Sequence, residues 1–263
     1  MKKVASNEDL GDLPHVKEKA LDFCKRAKLQ KALMQSVDLI DSEKYEKIVD
    51  VVKEAIHAGN HHSKGLELSD DIEARYSETV RRTAPTGIPE LDQRKILNGG
   101  LGAGELGVVI APTGVGKSHL MVHFGAQALL RGKNVLHYTF ELNERAVGVR
   151  YDSHIMDVPS LECYDCKEDI KNFYIENKDT LGRLIIKYYP TSSATAMTLN
   201  GHIEKMSVQG FRPDLLIIDY AGIMRSSDHF DLLRLELKKV MEELRALATD
   251  LDIPVWTCIQ SNK

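Results

Sequence analysis

Apolar and polar positions divide the chain into two parts with different periodicities. From about Leu13 to Ala58 the apolar positions recur every three or four residues, which is typical of helices that bury one narrow stripe. Ser42 precedes the clearest stripe as a candidate N-cap, and Ser69 precedes a shorter helical stretch, LSDDIEARYSETV. The first stripe is formed by Val16, Ala20, Phe23 and Ala27, and the second by Ile48, Val51, Val52 and Ile56.

After TAPTGIPELDQ, short and continuously apolar runs alternate with amphipathic stretches. Strands that are apolar throughout are buried on both faces, as in a parallel sheet covered by helices. We therefore predict an α/β domain over residues 86–263, with a mostly parallel central sheet flanked by helices, after a helical region and linker over 1–85. The predicted strands are GELGVVIA, NVLHYTF, RLIIKYY, DLLIID and PVWTCIQ, and the predicted helices are Ser118–Leu130, Asn143–Asp157 and about Leu232–Asp250.

Composition narrows the class of protein. The formal charge of −4 and the pI near 6.2 argue against a basic coat that binds nucleic acid over the whole surface, but they allow a local basic channel. No apolar run approaches the roughly 20 residues of a membrane span, and no secretory signal is present, so we expect a soluble, cytoplasmic protein with reduced thiols. Cys163 and Cys166 have the spacing of half a zinc site, without a matching second pair.

The stretch APTGVGKSH, residues 111–119, lies between a predicted strand and a predicted helix. The P-loop pattern is G-x-x-x-x-G-K-[ST], and only its first glycine is replaced, by Ala111. We expect Lys117 to bridge the β- and γ-phosphates of ATP and the Ser118 hydroxyl to bind Mg²⁺. A fortuitous glycine-rich turn is the alternative. The predicted nucleotide-binding residues are Thr113, Gly114, Val115, Gly116, Lys117, Ser118 and His119.

Three polar residues end other predicted strands. Glu141 follows NVLHYTF, Asp219 ends DLLIID, and Gln260 ends PVWTCIQ. The carboxyl ends of parallel strands meet at one edge of a sheet, so we expect these side chains to converge on the P-loop. A carboxylate at such a position can hold Mg²⁺ or accept a proton from the attacking water, which makes Asp219 a candidate metal residue and Glu141 a candidate general base. Any one of them alone is equally well an ordinary loop residue.

Taken in order, PTGIPELDQ, LNGGLGAGEL, APTGVGKS, TFELNE, LLIIDYAGIM and CIQSNK resemble the RecA-like motor domain of the DnaB-type hexameric replicative helicases. DDIEARYS and GKNVLHYTFELNERAVGVRYDSHIMDV are most similar to the replicative helicases of T-even-type phages. The resemblance covers about Ser69 to Lys263. It implies an ATP-dependent helicase subunit that translocates on single-stranded DNA as a ring, with primase and a helicase loader as partners, in the host cytoplasm if phage-encoded.

The resemblance also assigns residue roles. Lys117 and Ser118 match the Walker A pair, Glu141 the catalytic glutamate, Asp219 the Walker B aspartate, and Gln260 the glutamine that couples nucleotide to DNA. The family commonly carries alanine where Ala111 stands. The polar stretch RSSDHFDLLR falls where the family places a loop facing the central channel, and an ordinary surface connection before a helix is the alternative. Its candidate DNA-binding residues are Arg225, His229 and Arg234.

Some alternatives stay open at this point. The sequence ends at Lys263, ahead of the family's arginine finger, and we expect the chain to bind nucleotide better than it hydrolyses it. A RecA- or KaiC-like regulatory or recombination ATPase shares PTGIPELD. A non-catalytic nucleotide-binding module that joins a helicase ring is a third possibility, and a small-molecule kinase ranks last because no compact arginine cluster follows the P-loop.

Overall fold

The computed structural model of the chain describes residues 30–37, 39–40, 52, 72, 81–228, 230 and 232–261. Contacts divide the chain into two compact units, Met1–Glu78 and Thr79–Lys263. In the first unit the described residues are helical, and the Ser36 hydroxyl donates to the Ala32 carbonyl at 2.8 Å. Most of the helices predicted between Leu13 and Ala58, and the predicted caps Ser42 and Ser69, lie outside the described residues. The predicted domain boundary between residues 85 and 86 stays a prediction.

The second unit is built on a five-stranded parallel sheet. The strands of this unit are β1 (Thr83–Ala84), β2 (Leu101–Gly102), β3 (Leu106–Ala111), β4 (Val135–Thr139), β5 (Leu184–Tyr188), β6 (Leu215–Asp219) and β7 (Val255–Gln260). The sheet has the strand order β3-β7-β6-β4-β5, and β1 and β2 form a separate antiparallel pair. The helices are α1 (Pro89–Asp92), α2 (Lys117–Leu129), α3 (Glu144–Met156), α4 (Lys167–Glu176), α5 (Ala196–Val208) and α6 (Leu233–Leu251). The predicted α/β fold with a parallel sheet is confirmed.

Both faces of the sheet are covered, as the continuously apolar strands predict. In β6, Leu216 and Ile218 join a core cluster with α5 and α6, whereas Leu215 and Ile217 join a second cluster with α2 and α3. Successive side chains of a strand point to opposite faces, so a strand between two helical layers is apolar at every position.

Three helices were not predicted from the sequence patterns: the four-residue α1, α4 and α5. Helix α4 contains no fully buried residue among its ten, although Ile170, Phe173 and Tyr174 have the spacing of an apolar helical stripe. Helix α5 buries Ala196, Leu199 and Ile203, and Thr195 and Thr198 form a reciprocal capping box at its start. Thr195 at the N-cap was a readable start signal for α5, whereas Cys166, which precedes α4, is not a capping residue type.

Close contact between α2 and α3 holds the P-loop helix against the sheet. The buried Tyr151 of α3 reaches over Gly125 of α2, where a Cβ atom would collide with the tyrosine hydroxyl and lie 2.9 Å from Ile217. Only glycine leaves room for this approach. Among the described residues no helix is both long enough and apolar enough to span a bilayer.

We expect Gly125→Ala to destabilise the protein by about 1–3 kcal/mol, because the added methyl group forces Tyr151 out of a filled site. Gly201→Ala is the matched control, since Gly201 is an exposed helical glycine with open space around it. That substitution should stabilise by up to about 1 kcal/mol through helix propensity. Chemical denaturation measures both, and equal effects of the two variants would contradict the packing argument.

Candidate nucleotide-binding site

The loop between β3 and α2 has the backbone of an anion cradle. Gly114 and Gly116 have φ angles of 81° and 93°, in the left-handed region, and a Cβ on either would project into open space. Gly116 caps α2 without a side-chain hydrogen bond, so no cap side chain satisfies the first amides of the helix. Free amides at a helix N-terminus, together with the helix dipole, favour a bound phosphate group.

The predicted site residues of four strands meet at this loop. One cavity of about 380 Å³ is lined on its P-loop side by Thr113, Gly114, Gly116, Lys117, Ser118 and His119. Its other wall is formed by Glu141, Arg150, Asp219, Tyr220 and Gln260. Val115, by contrast, is exposed and lines an adjoining cavity of about 700 Å³.

Hydrogen bonds at the strand ends fix this geometry. The Phe140 amide donates to the Asp219 carbonyl at 2.9 Å, which ties the ends of β4 and β6 together next to Glu141. The Ser261 amide donates to the Ala111 carbonyl at 3.2 Å, which ties the ends of β7 and β3 together next to Gln260. Both hydrogen bonds join backbone atoms. The exposed side chains of Glu141 and Gln260 take no part in them, so their polar groups remain available to a ligand.

Asp219 is buried at the floor of the cavity. The Cys258 thiol donates to its Oδ1 at 3.3 Å, and burial raises the pKa of that thiol, with the Asp219 charge adding to the effect. The thiol is therefore protonated at neutral pH and acts as a hydrogen-bond donor. Carboxylate and hydroxyl oxygens are the ligands that Mg²⁺ prefers, so Asp219 and the nearby Ser118 fit that ion.

Lys117 lies over the same loop. Its Nζ donates to the Pro112 carbonyl at 2.7 Å, which folds the side chain back across the cradle. An ammonium group has three donors, so this bond leaves two for phosphate oxygens.

The predicted DNA-binding stretch leads into helix α6. Arg225 and Arg234 are exposed and lie outside the cavity, and Arg234 belongs to the first turn of α6. The residues between them are partly tied to that helix, because Asp228 pairs with Lys239 at 2.8 Å and Ser227 bonds Glu243. His229 lies outside the described residues.

Comparison with known proteins decides the family. A family model described as "DnaB-like helicase C terminal domain" matches residues 83–263. The "DnaB-like replicative helicase" of Enterobacteria phage T4 is 32% identical over 229 residues, which cover 82% of this chain and 47% of that protein. The chain belongs to the DnaB-like helicase family. The resemblance to DnaB-type helicases, and to those of T-even-type phages, is confirmed.

Other members of the DnaB-like family are more distant. "Replicative DNA helicase DnaB" of Helicobacter pylori is 23% identical over 184 residues, covering 68% of this chain and 36% of that protein. A solved structure of a DnaB-like replicative helicase, described together with its interactions with primase, shares the fold at TM-score 0.68 and 13% identity. That match covers 99% of this chain and 62% of the other. The chain spans about half the length of the T4 helicase.

Two cavity residues of this DnaB-like chain were missed by the sequence reasoning. Tyr220 directly follows Asp219, and burial raises the pKa of its phenol, with the Glu141 charge contributing. Arg150 comes nine residues after Glu141, on the helix that follows it. Its signal was weak, because an arginine on an amphipathic helix is usually a solvated residue.

A buried histidine lies behind the site. His137 of β4 shares a hydrogen bond of 2.9 Å between its Nδ1 and the Tyr151 hydroxyl, and its Nε2 has no partner among the described residues. Burial lowers the pKa of His137 from 6.5 to about 4, although the Asp219 charge opposes this shift. His137 is therefore neutral at physiological pH.

We expect the free energy of unfolding to fall as the pH drops from about 6.5 to about 4. In that window the unfolded chain binds a proton that folded His137 excludes, so the folded state loses up to about 3 kcal/mol. His137→Gln retains a hydrogen-bonding group without this titration and should show a shallower pH dependence of stability. Denaturation at a series of pH values measures the difference, and parallel profiles for the two proteins would rule out the His137 contribution.

Proposed function

We propose that this chain is the ATP-driven motor of a replicative DNA helicase, which translocates on single-stranded DNA as a ring of six subunits. The observation that carries this proposal is the convergence of Lys117, Glu141, Asp219 and Gln260 on one cavity beside the P-loop. Lys117 at the start of α2 and three polar groups at or just after separate strand ends line this one cavity, which suits a bound triphosphate.

In this proposal the P-loop side of the cavity binds the nucleotide. The amides at the start of α2 hold the β-phosphate, and Lys117 donates to the β- and γ-phosphates. Thr113, Val115 and His119 flank this cradle. Ser118 and Asp219 hold Mg²⁺, which when bound neutralises phosphate charge.

The opposite wall carries out the chemistry. Glu141 accepts a proton from the water that attacks the γ-phosphate, because its carboxylate is exposed to the cavity at the end of β4. Gln260, at the end of β7, contacts the γ-phosphate through its amide and transmits its presence to the neighbouring loops. Hydrolysis by these residues alone is expected to be weak, since an arginine from a neighbouring subunit accelerates comparable NTPases by about 10³–10⁵.

Arg225, His229 and Arg234 are proposed to contact DNA phosphates. The two described residues are exposed, and a local pair of guanidinium groups suits a protein whose net charge is −4. A primase is a proposed partner, because the DnaB-like helicase of similar fold is described as interacting with primase. A helicase loader and the host cytoplasm remain proposals of the same kind.

Membership in the DnaB-like family favours the helicase over a RecA- or KaiC-like regulator. Measurement of ATP turnover distinguishes a helicase from a non-catalytic nucleotide-binding module. ATP hydrolysis should be measured with and without single-stranded DNA, beside unwinding of a forked duplex. DNA-stimulated turnover with unwinding supports the helicase, whereas nucleotide binding with neither activity selects the module.

We expect Lys117→Ala to abolish nucleotide binding, because the cradle loses its mobile cation. Glu141→Gln should retain binding and lower the hydrolysis rate by about 100-fold or more, because an amide cannot accept the proton. Titration calorimetry and steady-state ATPase assays measure the two effects. Normal hydrolysis by Glu141→Gln would remove this residue from its proposed role.

We expect Arg225→Glu combined with Arg234→Glu to weaken binding of single-stranded DNA and to reduce the salt dependence of that binding, because phosphate contacts release counterions. ATP affinity should stay unchanged. Arg212→Glu is the matched control, since Arg212 is exposed beside the amino end of β6, at the far edge of the sheet. Fluorescence anisotropy at several salt concentrations measures the effect, and equal loss of DNA and ATP binding would indicate a folding defect instead.

A further inference from the structure

Arg150 is a cationic residue of the nucleotide cavity, and none of the sequence motifs assigns it a role. It projects from α3 and is partly buried in the cavity wall that faces Lys117 and Ser118. Within the described part of the chain its guanidinium makes no hydrogen bond and no ion pair, and every other described arginine is exposed. A partly buried guanidinium with five free donors is suited to an anion that enters the cavity.

The helix that carries Arg150 is held firmly in place. Asn143 caps it by accepting from the Ala146 amide at 2.8 Å, and Glu144 accepts from the Tyr188 amide at 3.1 Å. The next residue, Tyr151, is fully buried against Gly125 of the P-loop helix. The Cα of Arg150 is thus fixed relative to α2, and only its side chain is free to adjust to a ligand.

The position of Arg150 indicates which phosphates it contacts. The 380 Å³ cavity and the adjoining 700 Å³ cavity between α2 and α3 share three lining residues, Gly116, His119 and Arg150. This junction lies at the first turn of α2, where a P-loop holds the α- and β-phosphates, whereas Glu141 and Gln260 mark the γ-phosphate end.

We propose that Arg150 binds the α- and β-phosphates of the nucleotide from within the same chain, opposite the P-loop amides. This inference rests on the proposed nucleotide site. It assigns the phosphate chain a second cation in addition to Lys117, one whose planar guanidinium can donate two parallel hydrogen bonds to phosphate oxygens. Because ADP contains both contacted phosphates, its affinity depends on Arg150 as strongly as that of ATP.

The test is titration calorimetry of the full chain with Mg²⁺ and either ADP or ATP. Arg150→Gln, which keeps a hydrogen-bonding side chain without the charge, should weaken both nucleotides by the same factor, about 10- to 100-fold. Arg150→Lys should recover part of the affinity, because it restores charge without the bidentate geometry. Arg145→Ala is the matched control, since Arg145 is an exposed arginine of the same helix outside the cavity, and it should bind as the parent does.

Unchanged ADP affinity in Arg150→Gln would overturn the proposal, and so would a loss confined to ATP. Equal loss in Arg145→Ala would also overturn it, because the effect would then come from the net charge of the helix. A thermal melt of Arg150→Gln within a few degrees of the parent separates loss of binding from loss of folding. The Lys117→Ala variant distinguishes the two proposals. If it binds ADP normally, the proposed nucleotide site is wrong. If it fails to bind ADP while Arg150→Gln binds normally, only the role proposed for Arg150 is wrong.

Discussion

The parallel register of the sheet is the constraint on which the site depends. Ala111 pairs with Gln260 at one end of the β3–β7 ladder, and Thr139 pairs with Asp219 at the end of the β4–β6 ladder. All five strands run the same way, so their carboxyl ends form one edge and the residues that follow them share one cavity. A shift of one residue in either ladder would turn a polar side chain to the opposite face of the sheet.

That register is maintained from both faces. The apolar positions of each central strand alternate between two helical layers, so a slipped strand would keep its apolar side chains buried but would misplace every one of them against its neighbours. On the α2–α3 side the contact of Tyr151 with Gly125 and His137 links the P-loop helix, the helix after Glu141 and strand β4. The loop that is proposed to hold phosphate is thus supported by packing several residues away from it.

Local sequence patterns predicted the parts of this arrangement that are local in origin. Continuous apolar runs marked the five strands to within one or two residues, and glycines with a lysine marked the P-loop. Helix α4 was missed although Ile170, Phe173 and Tyr174 have helical spacing, because no capping residue marks its start and none of its side chains is fully buried. Arg150 was not identified as a site residue for a different reason. Its place in the cavity is set by the packing of α3 against α2, which depends on residues far apart in the chain. The tie between Asp228 and Lys239 is likewise a tertiary contact that a polar, loop-like stretch does not reveal.

Contacts run without a break from the nucleotide side of the sheet to the proposed DNA-binding stretch. Thr257 of β7 donates to the Ile218 carbonyl at 2.8 Å and accepts from the Ala221 amide at 3.1 Å. Ala221 begins the short 3-10 turn that leads to Arg225, whose amide donates to the Ala194 carbonyl at 3.1 Å. Strand β7 also carries Gln260, so one strand contacts both the cavity and the base of the segment with Arg225. Coupling between two sites requires a two-state element that both can bias. The end of β7 and this turn are the described elements that lie between the cavity and Arg225, so they are where such an element has to be sought.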